Sequence, residues 1–167
     1  MNTELNESPV KPSGQHLTFA LAGELFAIPI LAVQEIRGWE KVSRTPASPE
    51  YVLGVMNLRG TVVPVLDLRA RLGMAPCERT ATAVVIVIRI RTVAGHAVTL
   101  GCLVDAVSDV ITIPEDGVHP TPEACGTVGR HFLASVATVD QQLVMVLDLA
   151  LLVATSILRE SAGAAAA

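Results

Sequence analysis

The 167-residue sequence predicts a mainly β protein, with about nine or ten short strands and two or three brief helices at the spacing of barrels and sandwiches. Three observations carry this expectation. Apolar runs such as Val62–Leu66 and Ala83–Ile88 are short and rich in β-branched residues, which suits buried strands and not helices. His16–Ala22 alternates Leu17, Phe19 and Leu21 against His16, Thr18 and Ala20, the period of a half-buried strand. Glycine, proline, asparagine and aspartate punctuate the chain between these runs. The length fits one domain, or two small lobes on a shared core.

Taken in order, residues 1–14 are polar, carry Pro9 and Pro12, and are expected to be a flexible lead-in. The strand at His16–Ala22 turns at Gly23-Glu24 and returns over Leu25–Ile30, with Pro29 at its end. Leu31–Ile36 reads as one helical turn running into a strand, and Glu35 and Arg37 share one side of that strand. Lys41–Pro49 is a loop, and Pro49–Leu53 a single helical turn.

The central stretch is Gly54–Gly73. Gly54 and Gly60 bracket the polar corner Asn57-Leu58-Arg59, where unusual backbone angles are most accessible. A strand follows, then Asp67 as helix N-cap, Leu68 and Leu72 on one helical face, and Gly73 as the stop. Met74–Thr80 is the expected internal boundary. Ala83–Ile88 returns through Gly95-His96 to Ala97–Val104, with Gly101 read as a bulge. Asp105–Ile113 is a strand, with Asp105 and Asp109 as turn or edge residues, and Glu115–Gly129 a long surface loop. Phe132–Val139 and Leu143–Leu147 form a last hairpin, and Asp148 caps a closing helix with Leu149, Leu152 and Val153 on one face. A disordered tail over 156–167 is expected.

Composition narrows the function. Apolar residues make up 51% of the chain, yet only one Trp, one Tyr and three Phe are present, so the core is aliphatic. Such an excess fits either a well-filled β core or an apolar partner surface. The net charge of −4 without a basic run argues against nucleic-acid binding. No apolar stretch reaches the roughly 20 residues needed to span a bilayer, and the N-terminus lacks the apolar core of a signal peptide. Cys77, Cys102 and Cys125 do not form a disulfide framework, which places the chain in the cytoplasm with reduced thiols. His16, His96, His119 and His131 have no metal-ligand spacing, so neither metal nor cofactor is expected. There is no G-x-S-x-G nucleophile. Gly54 and Gly60 do not fit a P-loop, since no Lys follows the second glycine. Arg59 on its tight corner suits recognition, either donating to a partner or pairing internally with Glu35, or both.

Three motifs carry a family resemblance: Val33-Gln34-Glu35-Ile36-Arg37-Gly38, the Gly54–Gly73 stretch, and Val104-Asp105-Ala106-Val107-Ser108-Asp109-Val110. In this order, over about Gly14 to Val153, they resemble the bacterial chemotaxis coupling family CheW. The resemblance implies two small SH3-like five-stranded β-barrel subdomains on a shared aliphatic core, a first lobe at about 15–75 and a second at about 80–150 within a domain spanning 15–155. In the family the first strand and last helix can cross to the other lobe. The resemblance also implies a non-catalytic scaffold between the cytoplasmic tip of a methyl-accepting chemoreceptor and the regulatory domain of the histidine kinase CheA, recruited to membrane-associated receptor arrays. Val33, Glu35, Ile36, Arg59 and Val110 would line the receptor groove, and Ile30 and Val42 would face the kinase. Gly54, Asn57 and Gly60 would shape the corner. Ser135 replaces a frequent family glycine, and Ala124 stands where a large apolar residue can serve a second kinase contact. A paralogue in a non-flagellar pathway, or a small-ligand-binding barrel, are the alternative expectations.

Overall fold

Tight hairpin turns join six of the strands in pairs. The computed structural model describes residues 13–46, 48–75, 78–92, 95–121 and 131–153. Three hairpins close through two-residue loops, Ala22-Gly23, Arg59-Gly60 and Asp140-Gln141, with positive φ at both positions. This is the geometry whose twist matches paired strands. The first turn lies one residue earlier than Gly23-Glu24, because the tight loop needs the left-handed region at Ala22 as well as Gly23. The strands are β1 (Gly14–Leu21), β2 (Glu24–Pro29), β3 (Val33–Gly38), β4 (Val52–Leu58), β5 (Thr61–Asp67), β6 (Val84–Arg91), β7 (Ala97–Val104), β8 (Ala106–Ile113), β9 (Val118–His119), β10 (Leu133–Val139) and β11 (Gln142–Leu147). A 3-10 turn over Ile30–Ala32 precedes β3, as the pattern change there suggested.

Two sheets result, consistent with the mainly β expectation. One has six strands in the order β8-β1-β2-β11-β10-β9, the other five in the order β3-β6-β7-β5-β4. The link at residues 73–80 does not divide them. The five-stranded sheet is one continuous stretch from Val33 to Val104, inserted between the first hairpin and β8–β11. Parallel pairing of β2 with β11 and of β5 with β7 makes this arrangement non-local.

Alternation along the strands creates three apolar layers. Leu17, Phe19, Phe26 and Ile28 of one sheet meet Leu66, Ile86, Ile88, Leu100 and Cys102 of the other in a shared core. The opposite face of the five-stranded sheet has its own core of Val63, Val65, Val85, Val87 and Leu103. The opposite face of the six-stranded sheet gathers Ala27, Ile113, Ala137, Val144 and Val146. β6 is buried on both faces as predicted, with Val85 to Ile88 at 0% exposure.

Local expectations fared unevenly. Asp67 caps helix α1 (Leu68–Arg71) by accepting from the Arg69 and Ala70 N–H groups, and Asp148 accepts from Leu151 N–H in the closing helix, which is helical over 149–153. Pro49–Leu53 is a hydrogen-bonded turn running into β4 and not a helical turn. Gly101 is not at a bulge: β6 and β7 pair without interruption, and a Cβ at Gly101 would stand 2.7 Å from Val85 Cγ1. The 115–129 loop begins with a 3-10 turn, Glu115–Gly117, and the short strand β9, which pairs with β10. Ser135 is buried beside a bulge in β10, and its Oγ has no partner. The tail, Ala124, Cys77 and Cys125 lie outside the described residues, as does the lead-in except for Ser13 and Gly14, and Gly14 opens β1.

Candidate partner-docking site

The β4–β5 hairpin builds the corner. Asn57 Oδ1 accepts from Gly60 N–H at 2.8 Å, closing the loop around Arg59, which lies at φ +51° and is 83% exposed. Arg59 Nη2 donates to Glu35 Oε2 at 3.1 Å. The other carboxylate oxygen of Glu35 is shielded from solvent and has no partner. An ion pair this exposed adds little stability. Its effect is to aim one face of the guanidinium while leaving other N–H groups open to solvent.

Gly54 is required for a different reason. A Cβ there would stand 2.2 Å from the Ser43 carbonyl oxygen, and Gly54 sits at φ +151°. The close approach permits Ser43 and Val55 to exchange backbone hydrogen bonds of 3.1 and 2.9 Å. Val42, adjacent to this contact, packs on the core of the five-stranded sheet, while Ile30 packs on the shared core. Both are half-buried, whereas Leu31 between β2 and β3 is 97% exposed.

Register decides which side chains meet between the sheets. Extended geometry alone would put Val33 and Ile36 on opposite faces. A bulge between Val33 and Glu35 changes this, pairing Val33 with Ile88 and Ile36 with Ile86. Both partners belong to the shared core, so Val33 and Ile36 look toward the six-stranded sheet. Glu35 and Arg37 pair with Val87 and Val85 and share the other face, as predicted. On the six-stranded sheet Val110 pairs with Leu17, whose side chain is in the shared core, so Val110 looks toward the five-stranded sheet. β3 and β8 are both edge strands, and Ile36 and Val110 are 44% and 47% exposed. Ile36 and Val110 thus stand exposed on edge strands of different sheets, each turned to the side of its sheet that carries the shared core. Arg59 and Glu35 are in direct contact, while Val110 belongs to the other sheet.

Sequence reasoning missed two features. Val62, just past the corner, is 65% exposed and apolar, a surface position hidden within a run read as mostly buried. Asp105, read as a turn or edge residue, instead binds Arg69 through Nε–Oδ1 at 2.8 Å and a second Nη2–Oδ2 contact. Cys102 is a buried free thiol, as expected, and burial pushes its pKa up to about 12. Among the described residues no group of three or more His, Cys, Asp or Glu could hold a metal ion, and no helix is long and apolar enough to cross a membrane.

Two packed sheets, an apolar rim between their edge strands and an oriented guanidinium define a protein-binding β module. A family model described as the CheW-like domain matches residues 15–156. The probable chemotaxis protein CheW of Rhizobium etli is 40% identical over 133 residues, covering 80% of this chain and 83% of that protein. The chemotaxis protein CheW of Klebsiella aerogenes is 34% identical over 135 residues, covering 81% of this chain and 78% of that protein. The crystal structure of the scaffolding protein TtCheW from Thermoanaerobacter tengcongensis matches with a TM-score of 0.73 at 28% identity, covering 84% of this chain and 87% of that chain. The chain belongs to the CheW-like family.

Proposed function

We propose that this chain is a chemotaxis adaptor that couples chemoreceptors to the histidine kinase CheA by binding both, without chemistry of its own. The reading is supported by family membership together with one geometric observation. The β3 bulge turns Val33 and Ile36 to the shared-core side of the five-stranded sheet, the core to which Val110 is turned from the other sheet, while Glu35, holding Arg59, lies on the opposite face of the same edge strand. A slot between these two edge strands, with the oriented charge at the edge of one of them, would suit an amphipathic helix, whose apolar side chains supply area while the charges set its orientation. The receptor's cytoplasmic hairpin tip is the proposed occupant of that slot, and through it the protein joins receptor arrays at the membrane. The kinase's regulatory domain is the proposed partner of the surface around Ile30 and Val42.

The two sheets with their separate outer cores are the counterparts of the family's two SH3-like barrels. In the five-stranded sheet β3 and β4 are the edges, yet the Arg59–Glu35 pair ties the β4–β5 turn to β3, and Ser43, in the connection that leaves β3, pairs with Val55 of β4. Curling of this kind brings a sheet toward closure. The test is Arg59→Glu, which reverses charge at a fully accessible turn and leaves the fold intact. Association with a purified receptor fragment falls about tenfold or more, as expected for a charge at the edge of a buried contact. Unchanged capture of receptor fragment by this variant would overturn the assignment of the slot.

A further inference from the structure

The chain passes between the two sheets twice, and the two crossings are built differently. The first, Ile30–Ala32, is a 3-10 turn with no side-chain cap. The second is a single residue, Asp105, between the end of β7 and the start of β8. Every polar group of Asp105 is engaged. Its carboxylate takes the Arg69 fork from α1 and accepts from Ala22 N–H at 2.9 Å, in the turn of the first hairpin. Its own N–H donates to Ala20 C=O at 3.1 Å, and its C=O accepts from the hydroxyls of Thr80 and Thr82 at 2.9 Å each.

These contacts tie the crossing to both sheets. Ala20 and Ala22 belong to the first hairpin of the six-stranded sheet, while Arg69 follows directly from β5 of the other. Ala22 is also held in the left-handed region, at φ +51°, which costs an alanine free energy unless its surroundings fix it. β8 starts at the next residue and carries Val107 into the shared core and Val110 to the rim. β8, which bears Val110, therefore leaves a clamped pivot, and β3, with Val33 and Ile36, is the edge strand of the other sheet turned to the same shared core.

We infer that Asp105, clamped by Arg69, is a positioning residue that sets the separation of the β3 and β8 walls and thereby the receptor affinity of the slot. This rests on the proposed function for the identity of the ligand, but not for the geometry. Arginine's fork holds a carboxylate in one orientation, so the pair fixes an angle as well as a distance.

The experiment places nitroxide labels at Gln34→Cys and Ser108→Cys, one on each wall, in the full chain with Cys77 and Cys125 changed to serine. Pulsed dipolar spectroscopy reads the distance between them with no partner present. The parent gives one narrow distance, and Asp105→Asn and Arg69→Lys each broaden or shift it. In parallel, affinity for a purified receptor fragment falls about tenfold in both variants. Affinity for the isolated CheA regulatory domain stays within about twofold of the parent. Unchanged distances in a folded variant overturn the inference. So does a parallel loss of both affinities, which marks ordinary destabilisation. Should Asp105→Asn not fold, Arg69→Lys keeps the charge and removes only the fork, and an unchanged distance there overturns the inference equally. A parent that fails to bind the receptor fragment refutes the proposed function instead, and the distance measurement then still decides the pivot.

Discussion

At the scale of single residues, close backbone fit decides what a position tolerates. At Gly54 the obstacle to any side chain is the Ser43 carbonyl, a backbone atom that cannot swing aside. Gly54→Ala is expected to lower stability by about 3 kcal/mol, combining overpacking with strain at a positive φ. Urea unfolding of the variant checks this, and a loss below about 0.5 kcal/mol would mean that the Ser43–Val55 pairing adapts easily. The Cys102 thiol, with its pKa pushed up to about 12 by burial, is expected to resist alkylation in the native protein and to react once urea unfolds it. Arg59 was legible from sequence because glycine and asparagine beside a short apolar strand mark a tight corner. Asp105 was not, because its partner is 36 residues away and no local pattern announces the pair.

At the scale of elements, hairpins follow from local chemistry and bulges do not. The loops Ala22-Gly23 and Asp140-Gln141 use the left-handed region without the Asn-Gly signature, so the hairpins were clear from the sequence but the first turn lies one residue from its expected place. Ala22→Gly relieves the strain at φ +51° and keeps the N–H that Asp105 holds. It is expected to stabilise by about 0.5–1 kcal/mol. A rise in thermal midpoint of about 1–4 °C is the measurable consequence for a chain of this size. Helix α1 depends on Asp67, whose carboxylate satisfies the Arg69 and Ala70 N–H groups. Asp67→Ala is expected to cost about 1 kcal/mol, seen as an equal drop in unfolding free energy. The bulge that turns Ile36 and Val33 to one face left no mark in the sequence. Period-two reasoning assumes uninterrupted pairing and assigns them to opposite faces.

The arrangement of the whole molecule depends on long-range pairing, the least visible property in a sequence. A boundary at 73–80 looked natural because proline and polar residues cluster there. That link instead lies inside the stretch from Val33 to Val104 that makes one sheet, separating β5 from β6 and β7, which complete it. The aliphatic core was foreseeable from composition, whereas its division into one shared and two outer layers required the register. The Asp105 pivot couples this architecture to pH. Burial raises the Asp105 carboxyl, but the hydrogen bond from Arg69, the Ala22 N–H and the charge of Arg69 outweigh it and hold the pKa below the usual carboxylate range. A carboxyl with a lower pKa in the folded than in the unfolded state contributes stability above the unfolded value, near about 3.9. That contribution disappears as pH falls through the folded value, because protonation then no longer distinguishes the two states. The difference in unfolding free energy between the parent and Asp105→Asn is therefore expected to be constant from pH 7 down to about 5 and to shrink below about 4. Comparing the two proteins cancels the other carboxylates to first order, so the shrinkage reports on Asp105 itself. Urea titrations across that range decide the matter. A difference as large in strong acid as at neutrality would show that the carboxylate's charge contributes nothing to holding the sheets together, and that Asp105 acts through side-chain hydrogen-bond geometry that Asn does not reproduce.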